Sequence, residues 1–373
     1  MDPTINLITK SSDPKIEFPQ PYKTKHQGLK IVVNATGVGG YPKPVYVDPA
    51  KYNHLGDRKD MLSGVSRLDK IRSSLNPYEG IGKSIFINRA AVKLANICAV
   101  FNLIDGNTTT FSDLAGGPGG FVQYIQYVVP QPVIYGMTLT DAKKLSWSDK
   151  IKDSGTFNEI TGQDGTGNLY TNWNYYIDML KDAPVDLTTA DGGFDVEKSL
   201  DFRRQEFLSS RLIFTEITVG LATTRVNGSM VIKVFDTVTK FSADMIFILT
   251  QCFEEVYIFK PVSSRPASAE KYLVCKHKLQ DTERINKYLK LAYTIMGVFK
   301  DTTYVTSIFE SLPQEFETWL IEHNNLLTNN QLIYVDDIID RVANYKLKIA
   351  SHTVDVFKAP MLWGIPNTPD PKM

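Results

Sequence analysis

Cysteine is scarce. Cys98, Cys252 and Cys275 are the only three in 373 residues, too few and too widely spaced for a disulfide framework, and none stands in a C-x-x-C pair suited to zinc or thiol redox chemistry. A reducing, intracellular setting is the expectation. Long apolar runs are also missing: no stretch of 18 or more could span a bilayer. The opening Met1-Asp2-Pro3-Thr4 has neither the basic nor the apolar region of a secretory signal. A membrane span and secretion are therefore not expected. Net charge is absent too, with 41 Lys and Arg against 41 Asp and Glu, which excludes a histone-like polyanion-coating protein. The sequence has no internal repeat, no low-complexity tract and no cluster with metal-ligand spacing, so no metal site is expected.

What is present is enough apolar residue, 43%, to fill the core of one large domain or two ordinary ones. Charge is uneven along the chain, with 15 Lys and Arg against 9 Asp and Glu over residues 1–110, a pointer to a phosphate-bearing partner. Residues 1–70 read as an extended arm, apart from a strand-like Leu29-Lys30-Ile31-Val32-Val33. From Ser84, apolar residues at Ile87, Ala91, Leu94, Ala95 and Cys98 follow one helical face that also carries Arg89 and Lys93. Apolar runs at 109–115, 132–139, 185–190, 229–235, 255–261 and 271–276 predict strands. Periodic segments at 119–129, 200–226 and 240–252 predict the helices between them. This is an α/β pattern, a Rossmann-like sheet with helices on both faces. The last two strands are too close for a helical crossover and predict an antiparallel hairpin. Segments 279–300 and 310–350 read as helical. The expected organisation is thus an arm (1–70), an α/β core (71–280) and a mostly helical extension packed on it (281–373).

The most informative segment is Asp113-Leu114-Ala115-Gly116-Gly117-Pro118-Gly119-Gly120-Phe121, which follows a strand and opens a helix. Clustered glycines let a cofactor approach the backbone where a Cβ would collide. A dinucleotide fingerprint begun at Gly117 fails at Val122, and no Walker Lys-Ser/Thr follows. S-adenosylmethionine, which has no pyrophosphate, is the remaining nucleotide-like cofactor; a tight turn without a ligand is the competing explanation. Downstream, Asp164 sits in Gly162-Gln163-Asp164-Gly165-Thr166-Gly167, where a carboxylate can accept from an adenine amino group or simply form a surface turn.

Four ionisable residues interrupt or border elements that should be buried: Lys93, Asp191, Lys233 and Glu270. A lysine inside Met-Val-Ile-Lys-Val-Phe is costly unless paired, so carboxylates should lie near. Ligand crevices of such sheets lie at the carboxyl ends of the strands, where Asp113, Asp191 and Lys233 converge. A lysine whose pKa is lowered by burial and by a second lysine suits proton abstraction from a ribose hydroxyl during methyl transfer. A purely structural salt-bridge cluster is the alternative.

The residues Asn76-Pro77-Tyr78-Glu79, Asn88 to Asn96, Gly116 to Phe121, Gly136-Met137-Thr138-Leu139, Ala190-Asp191-Gly192-Gly193-Phe194, Ile232 to Asp236, Ser264 to Glu270 and Trp363-Gly364-Ile365-Pro366 together form a specific set. In them the chain resembles the FtsJ/RrmJ-like ribose 2′-O-methyltransferases, in particular the mRNA cap methyltransferases. The resemblance implies a K-D-K-E tetrad at Lys93, Asp191, Lys233 and Glu270, with Lys233 as base, Asp191 and Lys93 tuning it and Glu270 holding the constellation. It implies S-adenosylmethionine held by Asp113, Gly116, Gly117, Pro118, Gly119, Gly120 and Phe121, with Asp164 at the adenine. Arg72 would bind the cap's phosphate bridge, and Ser264 and Arg265 the RNA backbone. The acidic residue that usually holds the cofactor ribose is replaced by Gly136 to Thr140, with Asp141 as a substitute.

The expected substrate is RNA bearing an N7-methylguanosine cap, methylated at the first transcribed nucleotide, with other capping enzymes or an RNA polymerase as further partners. The nucleus is the setting if the enzyme is cellular, the cytoplasm if viral. Two competing functions stand beside this: a ribosomal or transfer RNA 2′-O-methyltransferase, and a non-catalytic RNA-binding subunit of a capping complex. An aromatic side chain stacked on the methylated guanine is expected, though 18 Tyr, 19 Phe and 4 Trp leave its identity open.

Overall fold

The structure is a computed structural model that describes residues 20–23, 28–37, 40–66, 68–76, 78–141, 145–193, 204–344 and 358–366. Pro77, Phe194, residues 1–19 of the expected arm and the segments 200–203 and 345–350 of the expected helices lie outside the described residues. In chain order the elements are β1 (Tyr22–Lys23), β2 (Ile31–Gly37), α1 (Pro49–Asp60), α2 (Leu68–Ser74), α3 (Ala90–Phe101), β3 (Thr110–Leu114), α4 (Gly120–Val128) and β4 (Val133–Met137). They continue with α5 (Asp149–Lys152), β5 (Phe157–Glu159), α6 (Leu169–Leu180), β6 (Val185–Ala190), α7 (Gln205–Thr223), β7 (Thr224–Val234), α8 (Lys240–Cys252) and β8 (Phe253–Phe259). The chain closes with β9 (Lys271–Lys278), α9 (Thr282–Val298), β10 (Thr303–Phe309), α10 (Gln314–Ala343) and α11 (Lys358–Leu362).

Among the described residues, eight strands form one sheet in the order β1-β8-β9-β7-β6-β3-β4-β5. β7, β6, β3, β4 and β5 run parallel, while β9 joins β7 and β8 antiparallel, as expected for the hairpin. Alternation along β7 explains the two layers of helices. Met230, Ile232 and Val234 join a core with residues of α7, α8 and α9, whereas Val231 joins Leu187 and residues of α3 and α4 on the other face. Lys233 shares Val231's face by the same period, so the fold aims it at the α3 side.

Two features depart from the sequence reading. Part of the expected arm is helical: Asp48 caps α1 by accepting from Ala50 N and Lys51 N, Pro49 occupies the first turn, and Leu55 packs with Val335 and Ile338 of α10. Between the helices α9 and α10, β10 pairs antiparallel with β2 in a separate two-stranded sheet. Among the described residues no helix is long and apolar enough to cross a membrane.

Candidate active site

β3, β6 and β7 end side by side, with Asp113 in register with Thr189 and Ala190 with Ile232. This shared edge brings the four ionisable residues into two pairs. Lys233 Nζ lies 3.2 Å from Asp191 Oδ1 and donates to the Asp191 carbonyl at 2.5 Å. Lys93, on α3, sits 2.7 and 2.9 Å from the two oxygens of Glu270. Tyr272, opposite Lys233 across the β7–β9 ladder, donates its hydroxyl to Asp191 Oδ1 at 3.0 Å. Ser264 donates to Glu270 Oε1 at 2.9 Å. Each carboxylate is thus oriented by a neutral hydroxyl as well as a lysine.

The electrostatics run against one expectation. Burial alone would lower the pKa of Lys233, but Asp191, and after it Glu270, outweigh desolvation, so the proton is held more tightly than in an ordinary lysine. The expected lowering does not occur because the carboxylates facing Lys233 outweigh its burial, while the second lysine, Lys93, is engaged by Glu270. Burial would likewise raise Glu270, yet Lys93 and then Lys233 hold it down at about 2. Sequence reasoning missed a further acid. Glu216 of α7 is fully buried, and burial keeps its carboxyl well above the usual range despite the pull of Lys233. Its only sequence signal is an acid inside a helix whose flanking residues are all core-like.

At the glycine turn, all four glycines make room for the protein itself; a Cβ on Gly119 would meet the Ile151 side chain at 2.7 Å and one on Gly120 the Asn88 side chain at 2.0 Å. A Cβ on Gly116 would lie 2.1 Å from Asp113 Oδ2, and one on Gly117 would lie 1.6 Å from the Leu145 carbonyl. That carbonyl also accepts from the Thr138 hydroxyl at 2.9 Å, so Leu145 is held against the turn. Asp113 has no solvent exposure. Its Oδ1 accepts from Thr189 at 2.6 Å, Oδ2 has no hydrogen-bond partner among the described residues, and burial pushes the carboxyl up to about 8. A buried acid with an unsatisfied oxygen behind a half-buried turn, flanked by the exposed Leu139 and Leu145, suits a ligand with an amine and an apolar ring system. Asp164 is held at about 2 by the Thr166 backbone N–H, the Thr166 hydroxyl and Asn172, and its loop stands at the surface beyond β5. Asp141 is exposed and brought to no partner among the contacts described.

A basic rim lies beside the Lys93–Glu270 pair. Glu79 accepts from Arg89, from Arg265 at 3.4 Å and from Asn76 at 2.9 Å. Arg265 also reaches Ser73 of α2 at 3.3 Å, and the guanidinium of Arg72 on the same helix is pushed down by burial and then by the nearby Arg265, against the pull of Asp69. Arg72 and Arg265 therefore converge. Ser264 does not join them at the surface, since it is 2% exposed with its hydroxyl committed to Glu270. Its place is behind the pair, because the loop turns Ser264 inward and Arg265 outward.

A family model described as FtsJ-like methyltransferase matches residues 86–278, just over half of the chain. Among curated proteins, a cap-specific mRNA (nucleoside-2′-O-)-methyltransferase 1 of Drosophila melanogaster is 32% identical over 353 residues, which cover 86% of this chain and 44% of that protein. The protein of the same name in Danio rerio is 30% identical over 355 residues, covering 84% and 42%. That of Homo sapiens is 29% identical over 340 residues, covering 83% and 40%. The chain thus spans less than half the length of these relatives.

Proposed function

The chain belongs to the FtsJ-like methyltransferase family, and from that premise we propose that it methylates the ribose 2′-hydroxyl of the first transcribed nucleotide of RNA bearing an N7-methylguanosine cap. The observation that carries this reading is the meeting of the Lys233–Asp191 and Lys93–Glu270 pairs at the strand ends beside the glycine turn. The names of the curated relatives support cap-bearing RNA as the substrate.

S-adenosylmethionine supplies an electrophilic methyl group on a sulfonium. Asp113, the Gly116 to Gly120 turn and Asp164 are the residues suited to hold it, whereas Phe121, expected there as well, is 1% exposed and packs near Tyr272 in the core. Lys233 Nζ would take the proton from the ribose hydroxyl whose oxygen accepts the methyl group. Asp191 aims Lys233 through both its carboxylate and its carbonyl, and Tyr272 fixes that carboxylate. Lys93 and Glu270 neutralise one another and border the ribose.

Arg72 and Arg265 offer guanidinium groups to phosphate. Arg72→Ala is expected to raise the KM for capped RNA and to flatten its dependence on salt by about one phosphate contact; an unchanged salt slope removes Arg72 from the interface. The function itself is tested by offering matched short RNAs with and without the cap. Transfer to the capped RNA alone supports the reading. Cap-independent transfer points to ribosomal or transfer RNA, and RNA binding without transfer points to a scaffold.

A further inference from the structure

The connection between β8 and β9 carries Ser264, Arg265 and Glu270, and its neck is closed from inside by a lysine that the chemistry above does not use. Lys260, the residue after β8, places Nζ 2.7 Å from the Ser268 carbonyl, 3.2 Å from the Ser268 hydroxyl and 2.8 Å from the Glu270 carbonyl. All three partners act as acceptors, because the Ser268 hydroxyl is itself donated to the Arg265 carbonyl at 2.9 Å. One amine thereby joins the backbone of Glu270 to the turn that begins at Arg265.

Both ends of this strap reach the site. The Glu270 side chain takes Lys93 and Ser264, and the Arg265 guanidinium takes Glu79 and Ser73. Three acceptors around Nζ call for all three protons of an ammonium. Burial opposes this and pushes Lys260 down to about 7, with Lys271, Lys59 and Lys93 acting in the same direction and Glu270 against it. Near neutral pH the amine therefore passes between a form with three donors and a form with two.

We propose that Lys260 is a positioning residue: its amine holds the 261–270 loop in a single frame, so that Glu270 and Arg265 present the acceptor RNA to Lys233 in register. The proposal rests on the methyltransferase reading above and adds to it a residue that touches neither cofactor nor RNA.

The test uses the full chain and compares Lys260→Met, which keeps the length and removes the donors, with Ser268→Ala and the double variant. Lys260→Met is expected to raise the KM for a short capped RNA by about tenfold or more and to lower kcat, with the Kd for S-adenosylmethionine by calorimetry within twofold. Ser268→Ala is expected to shift KM less and in the same direction, and to add little once Lys260 is gone. The wild-type KM should rise between pH 6 and pH 8, a rise that Lys260→Met should lack. A folded Lys260→Met with wild-type KM and kcat overturns the proposal, as does one whose cofactor affinity falls as far as its RNA affinity. If Lys260→Met does not fold, wild-type kinetics in Ser268→Ala overturn it. A wild-type protein that transfers no methyl to any RNA sinks the functional reading itself, an outcome separate from all of these.

Discussion

Lys233→Ala lowers kcat for methyl transfer by roughly 10²–10⁴-fold, the usual contribution of a positioned general base, while the Kd for S-adenosylmethionine stays within a few fold. The expectation rests on where Lys233 stands: on the α3 face of β7, paired with Asp191 Oδ1 at 3.2 Å, with the cofactor's proposed turn beginning on β3 two strands away. The pH dependence follows from the sign of its shift. Asp191 and Glu270 raise its pKa above that of an ordinary lysine, so the neutral, proton-accepting form is the minor one at neutral pH. The wild-type kcat should then climb with pH toward the alkaline limit, by up to about tenfold per unit if proton acceptance limits the rate. Removal of Asp191's charge in Asp191→Asn lowers the Lys233 pKa, moving that climb to lower pH even as the lost orientation reduces the maximum. Substantial activity in Lys233→Ala, within a few fold of wild type, would show that the base lies elsewhere.

Gly117→Ala carries the second large effect. The new Cβ would sit 1.6 Å from the Leu145 carbonyl, which is fixed by the Thr138 hydroxyl and belongs to backbone rather than to a flexible side-chain end. The segment from Leu145 to Ser148 must move, and Ser148 N would lose its bond to the Pro118 carbonyl, now 3.1 Å long. Overpacking of this kind destabilises by roughly 1–3 kcal/mol. It falls on the turn proposed to cradle the cofactor, so S-adenosylmethionine affinity should drop at least tenfold along with the melting temperature. Calorimetry and thermal unfolding check both. A variant that binds the cofactor normally would show that this turn is not where the cofactor docks.

The sheet was legible because its strands are short apolar runs bounded by turn residues: β3, β4, β6, β8 and β9 match those runs, while β7 contains most of the 229–235 run but begins at Thr224, inside the expected 200–226 helix. β5 is three residues, two of them polar, and β1 is two residues at an edge, too short to leave a period. α6 was missed because its buried line includes Asn172 among Leu169, Tyr176 and Leu180, and α1 because only Tyr52, Leu55 and Gly56 of its twelve residues are buried. The Asp48-Pro49 start signal was there to be used. The pairing of Lys93 with Glu270 and of Lys233 with Asp191 was foreshadowed by charge placed in or beside apolar elements. The direction of Lys233's shift was not, since it depends on which carboxylate lies nearest, a property of register across β6 and β7. Ser264's inward turn and the raised carboxyl of the buried Glu216 have the same origin: both are set by contacts between segments distant in the chain.

The central claim is that this cluster directs a methyl group to one ribose oxygen. The most direct test incubates wild-type protein and Lys233→Ala with labelled S-adenosylmethionine and a short N7-methylguanosine-capped RNA, then maps the labelled nucleotide and atom after nuclease digestion. The expected result is label on the 2′-oxygen of the first transcribed nucleotide with wild type, and almost none with Lys233→Ala. Label on a base or at an internal ribose, or equal labelling by the two proteins, would contradict it.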